Sequence, residues 1–209
     1  MRPNSTVVKP PTYDLLLKLM SDPYLKDFSL VGETALAIYF NHRLSIDLDL
    51  FSLKEFDSEK LRQHVSDTYG FERTDQFSNG LMGFITGIKV DFIRHAYQLV
   101  NPLEVLNGVR MTSALDISAM KLNAITGNGT RIKDYYDMYV LLEHYPLGKM
   151  LEAYELKYPE AGIPIAVRSL TYFDDIDFDR EPALMAKPIA FEMVRQRLQA
   201  AILDPYKTF

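Results

Sequence analysis

The apolar residues of this chain change their period near residue 110, and that change restricts the possible folds more than any other feature. Before it, short apolar runs bounded by Gly, Asn and Pro read as strands, interleaved with a few helices; after it, apolar residues recur at helical spacing. The segment 46–51 alternates strictly, with Ile46, Leu48 and Leu50 on one face and Asp47 and Asp49 on the other, the pattern of a half-buried strand. Strands are also expected over 28–31, 71–77, 81–86 and 88–94, the last three as an antiparallel meander. Helices are expected over 13–20, 33–41 and 58–69, then over 114–126, 132–144, 149–158, 163–172 and 191–203, with Gly127-Asn128-Gly129 stopping the first of the later group. Strands followed by helices indicate an α+β protein: an α/β core over 1–110 and a helical domain over 111–209 packed on it.

Composition narrows the chemistry. At 209 residues the chain is long enough to bury about 70% of its unfolded surface. It contains no Cys, which removes disulfides, thiolate zinc sites and a thiol nucleophile and fits a reducing cytosol. No apolar run approaches the ~20 residues of a membrane helix, and the N-terminal stretch has no secretory apolar region, so a cytoplasmic protein without membrane contact is expected. A net charge of −5 excludes a generic charge-driven grip on nucleic acid and confines any polyanion binding to a local patch.

Residues two apart on a strand project to one face about 6–7 Å apart, so Asp47 and Asp49 can lean over one ion. Asp91, inside the apolar stretch Lys89-Val-Asp-Phe-Ile, is placed on another strand of the same sheet and can complete a three-carboxylate site. Oxygen ligands of this kind suit Mg²⁺ or Mn²⁺ better than zinc. Two carboxylates at about 4 Å repel by about 4 kcal/mol at an effective dielectric of 20, so a cation is needed beside them. The plainer alternative is the solvated face of an edge strand. Just upstream, Val31-Gly32-Glu33-Thr34 brings a strand and a Gly to a helix N-terminus, where backbone N–H groups favour an anion; the plainer alternative is a turn with Thr34 as the helix cap. Downstream, Lys121, Arg131 and Lys133 with Asn123, Asn128, Asp134 and Asp137 border the glycine turn, and a cationic loop with an adjoining acid can hold a triphosphate; solvated helix ends account for the same residues. Asp175-x-Asp177-x-Asp179 starts like a calcium loop but has Arg180 and Ala186 where Gly and Glu are required, and reads as a solvated acidic loop. The tyrosines Tyr135, Tyr136 and Tyr139 read as core or interface filling.

Taken in order, Gly32-x-Thr34-Ala35-Leu36, His42-Arg43-x-Ser45-x-Asp47-x-Asp49-x-Phe51, Val90-Asp91-Phe92, Met120-Lys121-Leu122 and Lys133-Asp134-x-x-Asp137 resemble the AbiEii/AbiGii-type nucleotidyltransferase toxins, part of the DNA polymerase β-like superfamily. The likeness runs from about residue 28 to 178 and takes in Ser169-Leu170-x-Tyr172-Phe173-Asp174-Asp175. It implies a polymerase β-like core, a mixed sheet flanked by helices, followed by a C-terminal helical domain that completes the cleft. It further implies two-metal transfer of a nucleoside monophosphate from a nucleoside triphosphate to an acceptor hydroxyl, on a tRNA 3′ end or a protein. The same resemblance implies an AbiE-like toxin–antitoxin or phage-defence system with a cognate antitoxin. By this resemblance Asp47, Asp49 and Asp91 hold Mg²⁺ or Mn²⁺. Gly32, Thr34 and Ser45 touch phosphate or orient ligands, Lys121 and Lys133 bind the triphosphate, and Asp134 positions Lys121, Lys133 or the acceptor hydroxyl. Two alternatives stay open: a small-molecule acceptor, as in antibiotic-modifying nucleotidyltransferases, and an inactive scaffold acting by protein interaction, motivated by the charge of Glu33 beside the phosphate site.

Overall fold

A seven-stranded mixed sheet carries helices on both faces. The computed structural model describes residues 7–179 and 183–209, and Arg180 lies outside them. In chain order the elements are α1 (Pro10–Ser21), β1 (Ser29–Leu30), α2 (Gly32–Phe40), β2 (Leu48–Ser52), α3 (Ser58–Tyr69), β3 (Glu72–Phe77), β4 (Gly80–Ile85), β5 (Ile88–Arg94), β6 (Glu104–Leu106), β7 (Val109–Met111), α4 (Ala114–Gly127), α5 (Ile132–Leu141), α6 (Leu147–Lys157), α7 (Ile163–Leu170) and α8 (Phe191–Leu203). The strands lie in the order β3-β4-β5-β2-β1-β7-β6. The β3-β4-β5 meander is antiparallel, as its Ser-Asn-Gly and Gly turns predict, whereas β2 runs parallel to β5 and β1 parallel to β7.

Alternation decides which face of this sheet is core. Leu48, Leu50, Leu81, Val90 and Phe92 are all fully buried on one face, where α3 packs against β4 and α1 against β7. The opposite face carries Asp49 and Asp91 and faces the helices, of which α4 is the hub, touching α2, α5, α6 and α7. One hydrophobic cluster joins these layers and includes residues from Val7 to Ala201. No helix among the described residues is long and apolar enough to cross a membrane.

Three local expectations change. The strand over 46–51 starts two residues later, and Ile46 is 51% exposed, because the Ser45 N–H is drawn off to the Val7 carbonyl at 2.8 Å. Apolar alternation gives no warning of the β6–β7 hairpin, whose Val105 and Leu106 are exposed; its turn is Asn107-Gly108, both residues left-handed (φ 52° and 84°), the preferred pairing for a two-residue hairpin loop. Finally, α4 stops at the Gly127-Asn128-Gly129 turn as expected, but it ends on Asn128 in an extended conformation and not on a left-handed glycine. Gly129 is required instead by close approach, since a Cβ there would stand 2.9 Å from the Tyr135 hydroxyl.

Candidate active site

The acids converge through strand register. Because β2 and β5 are parallel neighbours, Asp49 pairs directly with Asp91, and both project to the helix-covered face. Asp47, half-buried, lies one alternation earlier, just before β2 begins. The turn of Gly32 sits against this pair: its φ is +68°, and a Cβ added there would lie 2.9 Å from Asp49 Oδ2. Both facts call for glycine, one for the left-handed backbone and one for the carboxylate's space. Val31 is the N-cap of α2 and, among the described residues, no side chain caps it; Thr34 is not the cap but lies inside the helix.

Repulsion and burial show in the proton affinities. Burial first, then Glu33 and Asp91, push the Asp49 carboxyl up to about 6. Burial, followed by Glu33, also raises Asp47. Lys89, two residues before Asp91 on the same strand face, places Nζ 2.8 Å from Asp91 Oδ2. Burial works against that ammonium, yet the bond to Asp91 holds it above its ordinary value. Asp91 Oδ1 is buried and has no hydrogen-bond partner among the described residues. Among those residues no three His, Asp or Glu side chains form a ready-made metal cage. Mg²⁺ does not need one: it binds through one or two carboxylates and takes its remaining oxygens from water and substrate phosphates. Hard oxygen donors on adjacent strands, one with an orphaned lone-pair set, therefore fit such an ion.

Beneath this surface runs a buried chain of charges. Arg43, with no exposed surface, donates from Nε to Asp137 Oδ1 at 2.6 Å, from Nη2 to Asp137 Oδ2 at 2.8 Å and from Nη2 to Glu33 Oε2 at 3.1 Å. Lys121 Nζ lies 2.5 Å from Asp134 Oδ1 and 2.7 Å from Asp137 Oδ2. His42 Nε2 adds a 2.8 Å contact to Asp137 Oδ1. Burial opposes the ionised forms of Arg43, Lys121, Glu33 and Asp137. Even so, Arg43 and Lys121 hold Asp137 far below the ordinary carboxylate range, and Arg43, Lys121 and Lys133 hold Glu33 low. Ser45 Oγ donates to Glu33 Oε1 at 3.0 Å and touches Thr34 Oγ1 at 2.6 Å, while Thr34 Oγ1 also donates to the Asp47 carbonyl. The network thus ties α2, the 41–47 segment, α4 and α5 into one frame.

The structure sorts the sequence-derived residues into two layers. Asp47 opens on a cavity of about 290 Å³ that is also lined by Lys89, Asn128, Thr130, Arg131, Ile132 and Asp177. Lys133 stands near its edge, with Nζ 4.0 Å from Glu33 Oε2, as does Arg131 Nη2. Thr34, Ser45, Lys121 and Asp134 are buried behind it; the Lys121 ammonium is held between two carboxylates. Sequence reasoning passed over Lys89, although its place two residues from Asp91 was legible from strand alternation. It also set Asp177 aside in a solvated loop. Thr130 and Arg131 instead draw Asp177 to the cavity, through its N–H to the Thr130 carbonyl at 3.0 Å and a parallel bridge to Arg131, a pairing no local pattern announces. Two carboxylates, Asp47 and Asp177, facing Lys89 and Arg131 across one cavity, with Asp49 and Asp91 outside its lining, can bind a polyphosphate together with a divalent cation.

Known proteins resemble this chain to different depths. The profile of the family described as "Nucleotidyl transferase AbiEii toxin, Type IV TA system" matches residues 14–205. The uncharacterized protein aq_aa25 of Aquifex aeolicus (strain VF5) is 32% identical over 168 residues, which is 78% of this chain and 81% of that one. Two crystal structures from Helicobacter pylori have the same fold. One, given as a candidate nucleotidyltransferase, aligns at TM-score 0.57 and 18% identity over 91% of this chain and 92% of its own. The other, JHP933, aligns at 0.56 and 16% over 91% and 88%. With its strand order, its acids in register and a family match along nearly its whole length, this chain belongs to the AbiEii nucleotidyl transferase toxin family and is a nucleotidyltransferase of the polymerase β-like fold.

Proposed function

We propose that the protein transfers a nucleoside monophosphate from a nucleoside triphosphate to the hydroxyl of a macromolecule, a tRNA 3′ end or a protein, with Mg²⁺ or Mn²⁺, as the toxin of a pair neutralised by a cognate antitoxin. The observation that carries this reading is the register of Asp49 and Asp91 on parallel neighbours, with one Asp91 oxygen buried and unpartnered. Asp47, Asp49 and Asp91 are the residues that would hold the metal, whose chemistry is to neutralise charge on the entering and leaving oxygens at the α-phosphorus.

The chain's own residues account for the remaining requirements. Lys89, Arg131 and Lys133 supply positive charge for the triphosphate tail, and the open turn at Gly32 lets phosphate approach the backbone. The acceptor oxygen bonds to the α-phosphorus, the bond to the β-phosphate's bridging oxygen breaks, and pyrophosphate leaves toward the cationic rim. The acceptor's proton passes to solvent, so Asp91 keeps its role of holding the ion. Asp134 and Asp137 fix Lys121, and Asp137 through Arg43 fixes the segment carrying Asp47. The helical half, 111–209, closes the cleft over the sheet.

Glu33 motivates the inactive-scaffold alternative, but Arg43 and Ser45 occupy both its oxygens, so its charge is largely answered before a phosphate arrives. The test is incubation with α-labelled nucleoside triphosphates, Mg²⁺ and total tRNA or protein. Label is expected on one macromolecular class, falling at least ~10³-fold in Asp47→Ala and in excess chelator. Triphosphate consumption onto a small hydroxylated compound with no macromolecular label would move the acceptor to a small molecule. Full labelling by Asp47→Ala would overturn the assigned chemistry.

A further inference from the structure

Beyond the glycine turn lies a second, larger cavity of about 590 Å³. Asn128 and Thr130 line it as well as the acid-floored cavity, so the two adjoin. Its far wall comes from α7 and the segment after it: Arg168, Ser169, Tyr172 and Asp175. Ser169, Tyr172 and Asp175 belong to the late motif that phosphate chemistry leaves unexplained, and Arg168 directly precedes it. Tyr172 is 49% exposed and so presents a ring to a ligand. The wall is braced, not loose. The Tyr135 hydroxyl shares its one proton between the Gly129 carbonyl at 3.1 Å and the Tyr172 carbonyl at 3.2 Å, binding the glycine turn to the aromatic wall.

We infer that this cavity is a nucleoside pocket, resting on the reading of the acid-floored cleft as the phosphate site. A ligand with its phosphates at Lys89 and Arg131 extends past Asn128 and Thr130 into this space. There it meets an aromatic face at Tyr172 and a guanidinium plane at Arg168, the two surfaces on which bases stack. Ser169, the Asn128 amide and the Asp175 carboxylate offer donors and acceptors to base edges or ribose hydroxyls. A volume of this size falls within the range of small-molecule sites. The nucleoside can come from the donor triphosphate or from the terminal residue of a polynucleotide acceptor, and the chemistry of recognition is the same.

The experiment uses the full chain with Mg²⁺ and three probes: inorganic tripolyphosphate, each common ribonucleoside triphosphate, and a short ribo-oligonucleotide with a free 3′-hydroxyl. Tyr172→Ala and Arg168→Ala are expected to weaken nucleoside triphosphate binding about tenfold while leaving tripolyphosphate binding unchanged, which assigns the pocket to the donor. An equal rise in KM for the oligonucleotide, with kcat and triphosphate affinity held, supports the pocket and assigns it to the acceptor. Tyr172→Phe should keep wild-type behaviour, because the ring and not the hydroxyl makes the contact. Unchanged triphosphate affinity together with unchanged or absent oligonucleotide turnover overturns the inference, as does a Phe variant as weak as Ala. Failure of the wild-type chain to bind tripolyphosphate overturns the cleft reading itself, and the pocket falls with it.

Discussion

Replacing Arg43 by Met should destabilise the protein in a way that fades in acid. The guanidinium has no exposed surface and makes a bidentate pair with Asp137 and a third bond to Glu33. Methionine roughly fills the volume but leaves two buried carboxylates short of positive charge, which costs about 3–5 kcal/mol. For a chain of this size that is a fall in Tm of roughly 10 °C. In the wild type, Glu33 and Asp137 have folded-state values lowered against the opposing effect of burial, chiefly by Arg43. Their stabilisation is present above the ordinary carboxylate range and is lost as pH falls through the folded values. In Arg43→Met, Glu33 loses its bonded cation, and burial then favours its neutral form, so acid relieves the variant. Urea denaturation at pH 7 and pH 4 should therefore show a gap that narrows at the lower pH. Arg43→Lys, which keeps the charge but not the fork, should fall between the two. A loss below about 1 kcal/mol at pH 7, or a gap indifferent to pH, would refute the claim that this network frames the site.

Two other substitutions probe the acids and the turn. Asp49 has its folded value raised to about 6 from an ordinary 3.8, so its contribution favours the fold at low pH and is lost as pH rises through 6. Metal-free Asp49→Asn should exceed the wild type in stability at pH 8 by up to about 3 kcal/mol and match it at pH 4. Mg²⁺ should raise the wild-type Tm at pH 8 far more than that of the variant, and thermal scans with and without chelator read both effects. Gly32→Ala should cost about 1–2 kcal/mol for the left-handed backbone and reduce nucleotidyl transfer by far more than that loss of stability explains, because the new Cβ displaces the Asp49 carboxylate. Circular dichroism melting beside a labelling assay separates these two consequences.

Periodicity made much of the fold legible. The helix over 58–69 is bounded as its pattern predicts, with Asp57 capping the N–H groups of Glu59 and Lys60 and Gly70 left-handed at its end. The helix over 191–203 likewise spans the predicted residues. Both carry their start and stop signals within a few residues, and local chemistry suffices to place them. The later start of β2 and the β6–β7 hairpin were not legible from apolar alternation, because distant backbone contacts overrode one and exposure hid the other.

For the site, the sequence determined the inventory: acids at alternating positions, a glycine after a strand, and lysines and acids at helical spacing. Their relative placement came from the tertiary structure alone. Asp49 faces Asp91 only because a parallel crossover brings β5 beside β2 in that register, 42 positions along the chain. Arg43 reaches Asp137 across 94 positions, and Lys121 reaches Asp134 beneath the cleft instead of lining it. Asp177, which reads locally as part of a solvated loop, joins the cavity through pairing with Thr130 and Arg131. Spacing along a strand or helix decides which face a side chain occupies, since the backbone repeat is local. Which faces meet depends on how strands order and helices pack, and that is set by burial of the whole apolar core at once.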